Sequence, residues 1–214
     1  MSLVELRPTR CAICGVPGNA RELYPANFTD EAFNAAVFSA RRLPDRVHYR
    51  MVKCEACGLV RSDPVADPAL LARLYHQSAF SYGAETDNLK ATYGRYLKKT
   101  ERYGARKGAL LEIGCGNGFF LEEALRLGYE SVAGVEPSAL AVAEANDRIR
   151  PRLIMDVMRP GLFAEGQFDV ICAFQVFDHL PDPAAVLDEC RRALKPGDSC
   201  CASITTSNRF RRAC

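Results

Sequence analysis

Residues 110–120 read LLEIGCGNGFF. An apolar run passes directly into three alternating glycines, Gly114, Gly116 and Gly118, and then into a helical pattern, FFLEEALRLG, that Gly128 closes. The stretch ALLEIGC has the continuous apolar character of a strand buried on both faces of a parallel sheet. Strand, bare loop and helix in that order form the first unit of a doubly wound fold. A loop without side chains lets a ligand approach the backbone, and the following helix N-terminus offers free N–H groups. The spacing is G-x-G-x-G. It is neither the G-x-G-x-x-G of dinucleotide binders nor a phosphate loop, because no Gly-Lys-Ser/Thr follows.

The segments downstream repeat the alternation. SVAGVEP predicts a second strand ending in Glu136, about twenty residues past the loop, where a carboxylate can accept hydrogen bonds from ribose hydroxyls. RLIMD predicts a third strand ending in Asp156, placed to touch an adenine edge. FDVICAF predicts a fourth ending near Gln175, followed by a loop, a helix that Pro181 and Pro183 introduce, and the turn LKPG.

The totals exclude several classes. The 214 residues carry 28 basic and 26 acidic side chains, a net charge of +2, and such a balance argues against an electrostatic nucleic-acid binder. No window approaches the roughly 18 apolar residues of a membrane span. The N-terminal MSLVELRPTRC lacks the apolar core of a signal peptide. These features are read as a soluble cytoplasmic protein with no membrane partner.

Four of the ten cysteines form two matched units, CAICG with Cys11 and Cys14, and CEACG with Cys54 and Cys57. Two thiolates on one tight turn occupy adjacent tetrahedral positions, and a second such turn supplies the other two. Gly15 and Gly58 suit turns that need a positive φ. A four-cysteine Zn²⁺ site leaves no open position, so it is expected to be structural. The 39 residues between the pairs exceed the usual spacing, and TDEAFNAAVFSARR is read as a helical insertion filling the gap. His48 lies in the strand-like run RVHYRMVKC and is read as a surface or packed residue. Cys115, Cys172 and Cys190 are read as small buried residues.

Between the two regions, residues 67–107 are helical and aromatic-rich. Asp67 and Pro68 read as a cap and a first-turn proline, and Leu70, Leu71, Leu74 and Tyr75 keep helical spacing. A second helix carries Leu89, Tyr93, Tyr96, Leu97 and Tyr103. The segment is a connector packed on the main domain or a lid, with Tyr82 and Tyr93 the tyrosines placed to reach a ligand.

LEIGCGNGFF, GVEPS, FDVICAFQVFDHLPDP and LKPG, in this order, resemble class I S-adenosylmethionine-dependent methyltransferases. The cysteine pairs, with CGLVRSDP and LYHQSAFSYG, resemble the subgroup that carries an N-terminal zinc-binding domain and includes sugar C-methyltransferases. The resemblance implies an α/β, Rossmann-like doubly wound sheet with a small zinc-ribbon-like domain. It divides the chain into a zinc-binding domain at 1–66, a helical connector or lid at 67–107, a cofactor-binding domain at 108–197 and an aberrant tail at 198–214. It implies S-adenosyl-L-methionine as cofactor. Gly114, Gly116 and Gly118 would line its methionine part, with Asn117 and Phe119 flanking. Glu112 would face its amino group, Glu136 the ribose and Asp156 the adenine. Gln175 would open onto the sulfonium and the substrate, and His179 is the candidate general base.

The resemblance also implies an apolar fifth strand and more after LKPG. DSCCASITTSNRFRRAC is a weak strand by composition and has the look of a shifted reading frame, so the sheet is expected to be incomplete after its fourth or fifth strand. The implied activity is methyl transfer to a small-molecule acceptor such as a sugar or secondary metabolite. RNA methylation, and a non-catalytic zinc-ribbon or cofactor-binding protein, are the alternatives.

Overall fold

The computed structural model describes residues 5–29, 33–34, 47–77, 86–177, 179–196 and 200–204, the last of these as backbone. The chain divides into two compact units, residues 1–80 with 181–184, and residues 81–180 with 185–214.

The first unit is built from short antiparallel strands. A three-stranded sheet has the order β2 (Ala20–Tyr24), β3 (Met51–Cys54), β4 (Val60–Ser62), and β1 (Leu6–Arg7) pairs with β5 (Val65–Ala66). So little apolar surface cannot hold such strands, and polar ties supplement it. The buried carboxylate of Asp63 accepts the Thr9 N–H at 2.6 Å and the Arg50 guanidinium at 3.2 Å. Helix α1 (Pro68–His76) starts where its cap predicts: Asp67 accepts the Ala69 N–H at 2.9 Å and pairs with Arg7 at 2.7 Å. The helix expected over 29–42 lies almost wholly outside the described residues, and Tyr82 lies outside them too.

The second unit holds a five-stranded sheet. Its strands are β6 (Ala109–Ile113), β7 (Ser131–Val135), β8 (Leu153–Ile154), β9 (Val170–Phe174) and β10 (Cys200–Ile204), in spatial order β10-β9-β6-β7-β8. Every pairing is parallel. The chain builds outward from β6 to β8, returns to β9 on the other side of β6 and continues to β10, so the winding reverses between β6 and β9. Helices α2 (Thr86–Thr100), α3 (Phe119–Arg126), α4 (Ala139–Ala143) and α5 (Pro183–Ala193) accompany it.

Strand residues alternate between two cores. Leu110, Val132, Val170, Cys172 and Phe174 pack with Tyr93 and Leu97 of α2 and with Phe119, Phe120, Leu121 and Ala124 of α3. Leu111, Ile113, Val135, Ile171 and Ala173 pack with Val186, Cys190 and Ala193 of α5 and with Met158, Phe163 and Phe168. Each large side chain buried this way contributes about 1.5–3 kcal/mol. Cys115, Cys172 and Cys190 are all buried, as small apolar residues.

Two features take up alternatives that the sequence left open, and a third, at Tyr103, departs from the sequence reading. Helix α2 belongs to the sheet-bearing unit, because Tyr93 and Leu97 complete its core. Tyr103 leaves that helix: it ends a single tight turn that Gly104 closes at φ 87°, and its side chain is exposed. Cys200–Ile204, weak by composition, forms the fifth strand, with Cys200 opposite Val170 and Ile204 opposite Phe174. Main-chain pairing with the open edge of a wholly buried strand outweighs side-chain propensity there.

Asp169 clasps the entry to the sheet. Its buried carboxylate accepts the Ala109 N–H at 2.7 Å and the Lys195 ammonium at 2.6 Å. Burial raises its pKa, but Lys195 and the Ala109 N–H outweigh that and hold it below the ordinary value. The stabilisation is therefore present above about pH 4 and lost as pH falls through the lower folded value. Asp169→Asn is expected to cost about 1–3 kcal/mol at pH 7 in urea unfolding, with the gap between the two proteins narrowing in acid.

Candidate functional site

The winding reverses between β6 and β9, and the carboxyl ends of strands at such a reversal are where open α/β sheets bind ligands. The chain leaving β6 turns at once: the N–H groups of Gly114 and Cys115 both donate to the Val135 carbonyl, at 2.8 and 3.2 Å. Gly114, Gly116 and Gly118 have φ of 70°, 56° and 76°. All three lie in the left-handed region that glycine enters without cost. At Gly114 a side chain would also strike Val176, whose Cγ2 would lie 2.5 Å from the added carbon. The loop and the chain after β9 therefore touch.

Two carboxylates sit beside the loop. Glu136, just past β7, accepts the Gly116 N–H at 2.9 Å on Oε2 and the Ser138 N–H at 2.8 Å on Oε1. Burial raises its pKa, against the pull of those two donors. Glu112, in β6, is 2% exposed, and its Oε2 has no hydrogen-bond partner. Burial, aided by the nearby charge of Glu136, pushes its carboxyl well above the ordinary range. A buried carboxyl oxygen without a partner is costly. A cationic or N–H-bearing ligand at the loop would satisfy it.

The other expected residues are more scattered. Asn117 accepts the Phe119 N–H at 3.3 Å, at the start of α3. Phe119 itself turns inward, 5% exposed, and stacks on Tyr93 with centroids 5.8 Å apart. Asp156 lies two residues beyond β8 and is held by the Val157 N–H at 2.8 Å and by Arg159 at 2.8 Å. That arginine draws its pKa below the ordinary value. Gln175 directly follows β9, is exposed and has φ 56°, the sole left-handed non-glycine residue among those described. Its Nε2 donates to the Tyr93 hydroxyl at 3.1 Å. His179 is exposed, and its N–H closes a turn on the Val176 carbonyl at 2.9 Å. Asp178 lies outside the described residues. The loop, Glu112, Glu136 and Gln175 thus gather where β6 and β9 end. Sequence reasoning missed Ser138 and Val176. Proline and serine after Glu136 form the signal for Ser138, which also caps α4.

In the first unit the sulfur atoms of Cys11, Cys14, Cys54 and Cys57 all lie within 4.8 Å of one another. Cys11 lies 3.3 Å from Cys57, and Cys14 lies 3.6 Å from Cys54, sulfur to sulfur. A tetrahedral zinc thiolate centre needs sulfurs roughly 3.8 Å apart. The two turns match: the N–H of Gly15 bonds the Cys11 carbonyl at 2.8 Å, that of Gly58 the Cys54 carbonyl at 3.0 Å, and both glycines have positive φ. Burial pushes the Cys11 thiol up, yet the N–H groups of Cys14 and Ile13 and the Cys57 thiol outweigh it and bring it down to about 6. Backbone donors lower Cys54 as well. At Cys14 and Cys57 the neighbouring sulfurs, with burial, outweigh the backbone donors and raise Cys14, and Cys57 to about 11, so two of the four favour the thiolate that a metal binds. His48 is not among the four and instead packs edge-on against Tyr24.

Residues 111–202 match the family model described as a methyltransferase domain. Over 131 residues the chain is 31% identical to the ubiquinone biosynthesis O-methyltransferase of Psychrobacter cryohalolentis, covering 57% of this chain and 51% of that protein. It is 34% identical over 122 residues to the protein of the same description from Pseudomonas paraeruginosa, covering 53% and 50%. The chain thus spans about half the length of the curated relatives it matches. A crystal structure of geranyl diphosphate C-methyltransferase from Streptomyces coelicolor aligns with TM-score 0.46 and 22% identity, over 55% of this chain and 46% of that one.

Glu112 makes the ligand-free protein pH-sensitive. Its raised folded pKa means that the native state keeps a proton that the unfolded chain releases above about pH 4.3. Stability therefore falls as pH rises through that window. Glu112→Gln is expected to flatten the fall and to raise the melting temperature at pH 8 by a few degrees, read by thermal unfolding across pH 5–9.

Proposed function

We propose that the second unit binds S-adenosyl-L-methionine and transfers its methyl group to a small-molecule acceptor, a sugar or secondary metabolite. One observation carries this reading. The unpartnered, buried carboxyl oxygen of Glu112 stands at the end of β6, beside a loop whose three glycines leave the backbone bare. The match of residues 111–202 supports it, as do relatives named for an O-methylation in ubiquinone biosynthesis. When bound, S-adenosylmethionine supplies a methyl group already activated on a sulfonium.

The residues present fit that group. Glu112 would accept from its amino nitrogen, and a cation there would favour the ionised form of the carboxyl. Gly114, Gly116 and Gly118 would let the methionine part meet the backbone, with Asn117 beside them, whereas the Phe119 ring, expected there too, faces the core instead. Glu136 would accept from the ribose hydroxyls on lone pairs that the Gly116 and Ser138 donors leave. Asp156 would read the adenine amino group, in competition with Arg159. Gln175 would face the reacting end. His179 would take the proton of an acceptor hydroxyl at an imidazole nitrogen. The four cysteines would hold Zn²⁺ as a structural brace of the first unit, with no part in the chemistry.

Calorimetry, turnover, elemental analysis and thermal unfolding test these assignments. The chain is expected to bind S-adenosylhomocysteine in calorimetry, and Gly114→Ala to weaken that binding at least 10-fold, because the new methyl meets Val176 and the backbone is left-handed. His179→Ala should leave that affinity unchanged and lower turnover roughly 10²–10⁴-fold. Equal turnover removes the base role, and absent binding in the parent chain removes the whole reading. For the metal, one zinc per chain is expected by elemental analysis, and Cys54→Ser or strong chelation should abolish the thermal transition of the first unit.

A further inference from the structure

Gln175 pays for its position. A glycine would adopt φ 56° freely, and the side chains that enter the left-handed region most readily are asparagine and aspartate. A glutamine held there needs an external reason. The reason on hand is Tyr93. Its hydroxyl receives the Gln175 Nε2 hydrogen at 3.1 Å, across 82 residues of chain. Tyr93 is itself immobilised. Its ring stacks on Phe174 with centroids 4.0 Å apart and planes 7° from parallel, and it also contacts Phe119 and Phe120 at 5.8 and 6.1 Å. Those partners span the last residue of β9 and the first turn of α3. One residue beyond Gln175, Val176 fills the space that Gly114 leaves open.

We propose that Tyr93 is a positioning residue: through its hydroxyl it holds the Gln175 amide, and with it the turn that abuts Gly114, in the arrangement that receives the cofactor. The role rests on the S-adenosylmethionine reading above. It makes α2, which precedes the matched region at 111–202, a working part of the site. One N–H of the amide is spent on Tyr93. The other N–H and the carbonyl oxygen are thereby given a fixed direction, since an amide is planar. Tyr93→Phe removes that direction and keeps the stacked ring. Its effect therefore belongs to the hydrogen bond and not to the core.

The test is a double-mutant cycle on the whole chain, with S-adenosylhomocysteine as probe. Tyr93→Phe and Gln175→Leu are each expected to weaken binding 3- to 10-fold. The double variant should be no weaker than the weaker single, because the two groups act as one. Circular dichroism should be unchanged throughout. In the ligand-free protein the Gln175 side-chain amide resonance should shift on Tyr93→Phe. Gln175→Gly supplies the control: relief of the left-handed backbone should raise the melting temperature while binding stays weak. Wild-type affinity in Tyr93→Phe, effects that simply add, or full affinity in Gln175→Gly would overturn the positioning role alone. A parent chain that does not bind the probe overturns it together with the cofactor reading.

Discussion

The carboxylate of Glu136 is the knot on which the site depends. It receives the Gly116 N–H from the loop after β6 and the Ser138 N–H from the start of α4. Two consecutive β-to-α connections are thus joined through one buried side chain. Without it, the loop between Gly114 and Gly118 would be tied to its neighbouring strand only through the Val135 carbonyl, beside its own internal bond from the Gly118 N–H to the Cys115 carbonyl at 2.9 Å. A carboxylate is suited to this because it accepts on both oxygens and still has lone pairs for further donors. The same group that shapes the loop can therefore read a ligand placed in it.

Close approach is the second constraint. Gly134 lies in β7 directly opposite Glu112, and a side chain there would meet the Cys115 sulfur at 2.5 Å. Cys115 is folded down over the strand because the turn after Ile113 is so tight. Gly114 and Gly118 are pressed in the same way by Val176 and Ile149. The bareness of the loop thus serves its own packing as well as a ligand's approach. Glu112 is the cost of this compactness, an enclosed carboxyl with one oxygen unpartnered and a pKa that burial pushes well above the ordinary range. Such a group destabilises the free protein and favours whatever ligand supplies a donor.

The two units solve different physical problems. The second has enough apolar surface to cover both faces of a parallel sheet. The first has strands of two to five residues, and its matched cysteine turns concentrate four sulfurs at one point. A metal thiolate centre would replace the core that such short strands lack.

Local signals were sufficient where chemistry and backbone conformation coincide. The apolar run of β6, the glycines of its loop, the caps at Asp67 and Gly128, and the paired cysteines were legible because each is a short-range pattern with one physical solution. So were Glu136 and Gln175, which sit immediately after their strands. What tertiary structure alone decided lies at long range. The entry of α2 into the core, the Tyr93–Gln175 hydrogen bond and the fifth strand formed by Cys200–Ile204 each depend on a partner far along the chain. A tyrosine in a helical stripe looks the same whether its hydroxyl meets water or a glutamine. A strand of weak propensity forms only when a buried neighbour offers a row of unpaired backbone groups, and no local pattern records that neighbour.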